Sequence, residues 1–244
     1  MKEIEDAPTP DAPRDGPKRV KVDMHTHSEF SPDSRTRIAT QVVRIKEAGL
    51  DVVCATDHNT IAGGLRLREA ADGFRVIVGA EILSRDGEII GLFLEKDVPR
   101  GLSAEETIAR IRDQGGAVSV PHPFSRNRLN HIRRAALERV WRDIDALEIF
   151  NAREAFMGDN LRAAEFALER GIAGAVGSDA HRRRELGNAW LEMDDFTDRD
   201  SFVAALRSGT VSGKLTGHLI HLWTRYDVMR NWLARRLGGR DARR

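Results

Sequence analysis

The 244-residue chain has one cysteine, Cys54, so no intramolecular disulfide can form, which fits a reducing compartment. It lacks any run near the roughly 18 consecutive apolar residues of a membrane span. Its charged first residues lack the apolar centre of a secretory signal. A cytoplasmic protein is the expectation. Neither sign of charge is in excess: 39 Lys and Arg against 38 Asp and Glu leave a formal net charge of +1. There is thus no global pull toward nucleic acid or lipid, and any such binding must be local. Aromatic residues make up only 6%, with no basic–aromatic run of the kind that stacks on single strands. No G-x-S-x-G occurs, and Cys54 sits in the apolar run "DVVCATDH", where it reads as a buried structural thiol. A serine or cysteine nucleophile therefore has no support.

What is present suits a globular α/β protein. Hydrophobic residues form 41% of the chain, enough for a real core. Residues 1–17 hold four of the eight prolines and read as a flexible arm. From Arg19, short β-branched runs alternate with helical stretches, as in "RVKVDMH", "DVVCATDH" and "FRVIVGAEIL". Ser103 and Glu106 make a capping box for the helix after Leu102, and Gly115–Gly116 stops it. Glycines at 49, 73 and 171 mark helix-to-strand connections. About seven strand–helix units over residues 18–215 predict a parallel sheet wrapped by helices, closed as a barrel. Residues 216–244 read as a C-terminal amphipathic helix with a basic tail, packed on the barrel or used as a basic surface helix.

Five of the eight histidines lie at strand ends. His25 and His27 end the first strand, and residues i and i+2 of a strand point to one side, so both imidazoles can meet one cation. Asp57 and His58 end the second strand, Glu81 the third, and His122 a later one, in "VPHP". Asp179 and His181 follow the last strong strand. Strand C-termini are where parallel α/β folds build their sites. The pair His218 and His221 has no acidic or cysteine partner nearby.

The ordered set HxH, TDH, a strand-ending glutamate, a histidine before proline and GSDxH resembles the polymerase and histidinol phosphatase (PHP) family, across roughly residues 20–215. The resemblance implies a distorted (β/α)7 barrel of the PHP type, here with an extra C-terminal helix. It also implies two or three divalent cations (Mn, Zn or Fe) at the strand C-termini. Carried over by position, His25, His27, Glu81 and Asp179 hold a first cation, Glu81 bridges to a second with His122, and His58 and His181 reach a third. Asp57 orients a ligand or water. Two positions depart from the pattern, with Glu88 and Asp33 standing where relatives carry histidine; both can still ligate and shift the site toward oxygen. Arg126 and Arg128 after His122, with Arg153, Arg182 and Asn151, lie on the same side; Arg126, Arg153, Arg182 and Asn151 are the expected substrate-binding residues, with Arg126 favoured, since a guanidinium fork matches two phosphate oxygens.

The implied activity is metal-dependent phosphoester hydrolysis, with a small phosphorylated metabolite or nucleotide as substrate. Two cations about 3.5–4 Å apart suit in-line displacement at phosphorus. Ranked below it are an exonuclease acting on nucleic-acid ends and a non-catalytic metal-binding module. An amidohydrolase is ranked lower too, because only Lys96, past the strand, could serve as the bridging lysine.

Overall fold

The computed structural model describes residues 17–216. The arm expected over 1–17 and the helix expected over 216–244 lie outside it but for one residue each. Among the described residues no helix is long and apolar enough to cross a membrane.

Nine strands form one sheet. The first five are β1 (Arg19–Thr26), β2 (Val52–Ala55), β3 (Arg75–Ser84), β4 (Gly87–Leu92) and β5 (Ala117–Val120). They are followed by β6 (Ala146–Asn151), β7 (Ala173–Gly177), β8 (Ala189–Asp194) and β9 (Thr210–Gly213). The order across the sheet is β7-β6-β5-β4-β3-β2-β1-β8-β9. The helices are α1 (Ile38–Glu47), α2 (Ala62–Ala70), α3 (Ala104–Arg112), α4 (Arg134–Val140), α5 (Met157–Arg170) and α6 (Arg199–Ala205).

The expected capping box is made: the Ser103 hydroxyl accepts from Glu106 N–H, and the Glu106 carboxylate accepts from Ser103 N–H. Gly49, Gly73 and Gly171 all adopt positive φ (63°, 80° and 66°), which glycine takes without a Cβ penalty.

The sheet is a nearly closed barrel with mixed strand directions. β1–β2, β2–β3, β5–β6 and β6–β7 pair in parallel. β4 runs antiparallel to both neighbours, and β8 runs antiparallel to β1 and β9. An all-parallel reading is thus corrected at two places. β3 turns straight into β4 through Arg85 and Asp86, with Gly87 at φ 126°, and no helix intervenes. The last strands return along the edge of β1.

Alternation in the strands separates an inner core cluster from two outer ones. Val22, Cys54, Leu92, Val176, Leu191 and Phe202 pack inside the sheet. Val53 and Ala55 face the other way, against Ile45 of α1 and Leu67 of α2. Ile82, Ile111, Val120, Leu137 and Phe166 fill the space under α3, α4 and α5. Cys54 is fully buried, as read from the sequence. Past β7, the chain closes back on β1: Asp179 N–H donates to His25 C=O (2.7 Å) and His27 N–H to Ala180 C=O (2.9 Å). That contact holds the sheet's far strand against its first strand at the end where the histidines lie.

Candidate metal centre

β1 has a register break between Asp23 and Thr26, where apolar residues give way to His25 and His27. Such irregularities re-aim side chains beside sites. Two further strand ends are held in uncommon backbone conformations: His122 has φ 30° and Asp179 φ 51°. Non-glycine residues pay for such angles, and they persist where surrounding contacts impose them, most often at functional sites.

The side chains converge. His25 Nε2 and His27 Nε2 lie 3.0 Å apart. Glu81 faces four imidazoles with two oxygens. Its Oε2 is 3.5 Å from His25, 3.4 Å from His27 and 3.1 Å from His58, while Oε1 is 3.0 Å from His122 Nε2. Asp179 Oδ1 lies 3.7 Å from His25 and 3.4 Å from His27. Asp33 Oδ2 sits between His58 (3.3 Å) and His181 (3.0 Å). Glu88 is buried, with Oε2 3.8 Å from His122. All nine expected ligands are therefore brought together. Donor atoms of four of their trios or of near neighbours lie within 4.8 Å of one another: His27, His58 and His181; His25, His27 and Glu81; His25, His122 and Glu148; His58, Glu81 and Glu88.

Asp57 stays behind this layer. Its carboxylate accepts from Ser28 N–H (2.7 Å) and from the hydroxyls of Ser28 (2.6 Å) and Ser31 (2.6 Å). The Ser31 proton is spent on Asp57, so Ser31 Oγ can only accept from His27 Nδ1 at 3.0 Å. That fixes the His27 tautomer and leaves Nε2 as a lone pair facing the cluster. Gly63 makes room for this relay: a Cβ there would lie 1.9 Å from Asp57 Oδ2 and 2.6 Å from Ser28 Oγ. Gly63→Ala should displace the Asp57 carboxylate and lower stability by about 1–3 kcal/mol. Urea unfolding checks this, with a lower midpoint and an unchanged slope as the expected result.

The electrostatics are those of a metal-free cluster. For His25 burial pushes down, but Asp179, Glu81 and Glu148 overcome it and raise the imidazole well above its usual value. His27 goes the other way, lowered by burial and by His181 and His58. Burial also opposes protonation of His58, yet Glu81 and Asp33 bring it to about 10. Burial works to raise Glu81 and Asp179, but His25 and His58 hold the first, and Arg128 and His25 the second, well below the carboxylate range. Burial and the charge of Glu81 raise Glu88.

The donor set fits divalent cations. Asp179 Oδ1, which faces His25 and His27, and Asp33 Oδ1 are buried without hydrogen-bond partners. Buried polar atoms are normally paired, so such orphans call for an absent partner. Mixed imidazole and carboxylate donors suit Mn, Fe and Zn alike.

A cleft of about 580 Å³ opens over the cluster, lined by Asp33, His58, Glu88, Arg128, Arg153 and His181 among others. The arginines divide differently from the sequence reading. Arg126 turns away: its Nε–H donates to the buried Asp159 (2.8 Å), its guanidinium stacks on Phe156, and half of its side chain is exposed. Arg128 takes the place inside. It pairs with Asp179 Oδ2, lies 3.3 Å from Glu154 and lines the cleft. Arg153 is buried against His181 and lies 3.6 Å from Glu185. Asn151 donates to Glu148 (3.0 Å) and Asp179 (3.1 Å), so it braces ligands and does not line the mouth. Arg182 is half-buried and is not a cleft-lining residue. Lys96 is exposed, with its backbone on Gln114.

The sequence reading missed Glu148, Glu185, and Ser28 with Ser31. A glutamate inside "ALEIFN" was the available signal for the first.

A PHP domain matches residues 23–139, and a PHP-associated segment matches residues 158–211. The chain is 41% identical to an uncharacterised protein of Methanocaldococcus jannaschii over 146 residues, 54% of this chain and 82% of that one. The chain belongs to the PHP family. The fold of this PHP protein resembles that of a two-domain protein of Bacteroides vulgatus containing a predicted PHP-like metal-dependent phosphoesterase. The TM-score is 0.67 and the identity 19%, covering 88% of this chain and 70% of the other. It also resembles the lesion-specific endonuclease EndoQ of Pyrococcus furiosus, with a TM-score of 0.60 and 16% identity over 80% of this chain and 58% of that one.

Proposed function

We propose that this PHP protein is a metal-dependent phosphoesterase whose substrate is a small phosphorylated metabolite or a nucleotide. The observation that carries the reading is the Glu81 carboxylate, whose two oxygens face four imidazoles from three other strand ends. A fold shared with a protein containing a predicted PHP-like metal-dependent phosphoesterase and with an endonuclease supports chemistry at phosphorus.

His25, His27, Glu81 and Asp179 would hold one cation, Glu81 and His122 with Glu88 a second, and His58, His181 and Asp33 a third. Bound divalent cations would polarise phosphoryl oxygens and activate water. The chain's own residues do the rest. Asp57, through Ser31, keeps the His27 lone pair aimed inward. Arg128 neutralises the outer oxygen of Asp179 and lines the cleft, where its charge would meet a phosphate oxygen. Arg153 holds His181 in place. No protein nucleophile is required.

The test is turnover by protein loaded with Mn, Zn or Fe, against an aryl phosphate, an aryl phosphodiester, a mononucleotide panel and labelled single-stranded oligonucleotides. Failure on every substrate at full metal occupancy sinks the proposal; activity confined to oligonucleotides replaces the small-substrate reading with the nucleic-acid one. Arg128→Ala should lower kcat/KM roughly 10- to 100-fold, as loss of a charge-assisted hydrogen bond implies. Arg126→Ala, whose partner is Asp159, should change it far less.

A further inference from the structure

We infer that Glu148 is a positioning residue for the metal centre: one buried carboxylate sets the ring of His25 and the backbone of His122 at the same time. This rests on the metal-binding part of the reading above and not on the choice of substrate.

Glu148 sits in β6, just before a register break, and is 3% exposed. A buried carboxylate is costly unless its oxygens are satisfied. Here both are. Oε1 lies 3.1 Å from His25 Nδ1, while Oε2 accepts from His122 N–H (2.7 Å) and from Asn151 Nδ2–H (3.0 Å). Asn151 donates its other bond to Asp179. A single side chain thereby reaches candidate ligands on β1, after β5 and after β7.

The room for it is built in. A Cβ on Gly177 of β7 would lie 2.4 Å from His25 Cβ and 2.5 Å from Glu148 Oε1. The bond to His122 N–H falls on a residue at φ 30°, where backbone strain needs an anchor.

A carboxylate accepts and never donates when ionised, so it obliges His25 to carry its proton on Nδ1. Nε2, the atom facing Glu81 and Asp179, is then the donor to a cation. Carboxylates that hold ligating histidines in this way commonly contribute 10- to 100-fold in metal affinity. The two histidines of the HxH pair are held unequally. His25 meets its carboxylate directly, whereas His27 reaches Asp57 only through the Ser31 hydroxyl.

Glu148→Gln makes the distinction. If its amide oxygen keeps His122 N–H and Asn151, its amide nitrogen faces His25 and drives the His25 proton onto Nε2. Metal-free protein titrated with Mn, or with Zn against a chromophoric chelator, should show at least one cation bound roughly 10- to 100-fold more weakly. Its metal-free melting temperature should fall as well, because the protonated His25 loses its acceptor, so cation affinity is the deciding readout. Glu148→Asp keeps the charge but falls one methylene short of His25, and should weaken the same cation; it serves as the readout if the glutamine variant does not fold. Ser31→Ala should weaken cation binding less than Glu148→Gln. A lowered metal-free melting temperature with unchanged cation affinity in both Glu148 variants would show a merely structural role and overturn the inference. Cation uptake by the wild-type chain without phosphoester turnover would sink the functional reading and leave this one standing; no uptake would sink both.

Discussion

Glu81→Ala should abolish turnover by about three orders of magnitude and strip the protein of more than one cation. The residue is unusual among the candidate ligands because each oxygen serves a different set of histidines: His25, His27 and His58 on Oε2, His122 on Oε1. Deleting it removes the oxygen donor shared by two of the proposed cation sites, leaving Asp179, Asp33 and Glu88 as the remaining candidate carboxylate ligands against these imidazoles. Lewis-acid assistance at phosphorus contributes several kcal/mol, and about 4 kcal/mol corresponds to a 10³-fold loss. The loss should be in kcat as well as kcat/KM, because the cations act on charge that develops during the reaction. Elemental analysis alongside steady-state kinetics checks both halves. A Glu81→Ala protein that keeps its full metal complement and its rate would remove the central element of the proposed function.

The second large effect is the response to chelation and pH. Saturating cation at about 1,000 times its Kd should add about 4 kcal/mol of stability. For a domain of this size that corresponds to a rise in Tm of roughly 8–16 °C over protein treated with chelator. The metal-free protein should carry a distinct pH signature. His58 is raised to about 10 from its ordinary 6.5, so the stability it lends is complete below about 6.5 and is lost as pH rises through about 10. Asp23, raised to about 7 from 3.8 chiefly by burial, acts in the same direction, with its contribution gone above about 7. Glu81 and Asp179 are lowered, so their contributions are present above their ordinary values of 4.5 and 3.8 and are lost on acidification. Metal-free protein should therefore lose stability as pH rises from about 6.5 toward 10. With His25 and His58 as the proposed ligands, cation binding would expel their protons, so the stabilisation by metal should grow across that same interval. Melting temperatures at several pH values, with metal and with chelator, check the sign; a metal-free protein that strengthens from pH 6.5 to 10 contradicts it.

Residues at strand ends were legible because a strand has a simple period and a parallel fold collects its C-termini. His25, His27, His58, His122 and Asp179 needed only that reasoning; Glu81, expected to end the third strand, instead lies inside β3, which runs on to Ser84 paired with β4. Three things were not legible. Glu148 stands in "ALEIFN", where one acid in an apolar run reads as an outward-facing residue; only the register break and the absent side chain at Gly177 turn it inward. Arg126 and Arg128 lie in one loop with similar surroundings, and loop direction has no period to read. The choice between them was made by Asp159, a buried acid on α5 more than thirty residues on. The antiparallel β4 did have a local signal, the Asp86–Gly87 pair between two apolar runs, which is a hairpin sign. Its weight was lost against the strand–helix rhythm on either side.

The barrel's seam gives the site a second meaning. Strand β7 meets β1 through no ladder of its own; the hydrogen bonds that close the gap run from Asp179 N–H to His25 C=O and from His27 N–H to Ala180 C=O. The backbone stitches and the candidate ligands thus belong to the same few residues. A cation gripped by His25, His27 and Asp179 would rivet the two lips of the cylinder together. Emptying the centre would then loosen the architecture at the β7–β1 seam, so that chemistry and closure rise and fall as one.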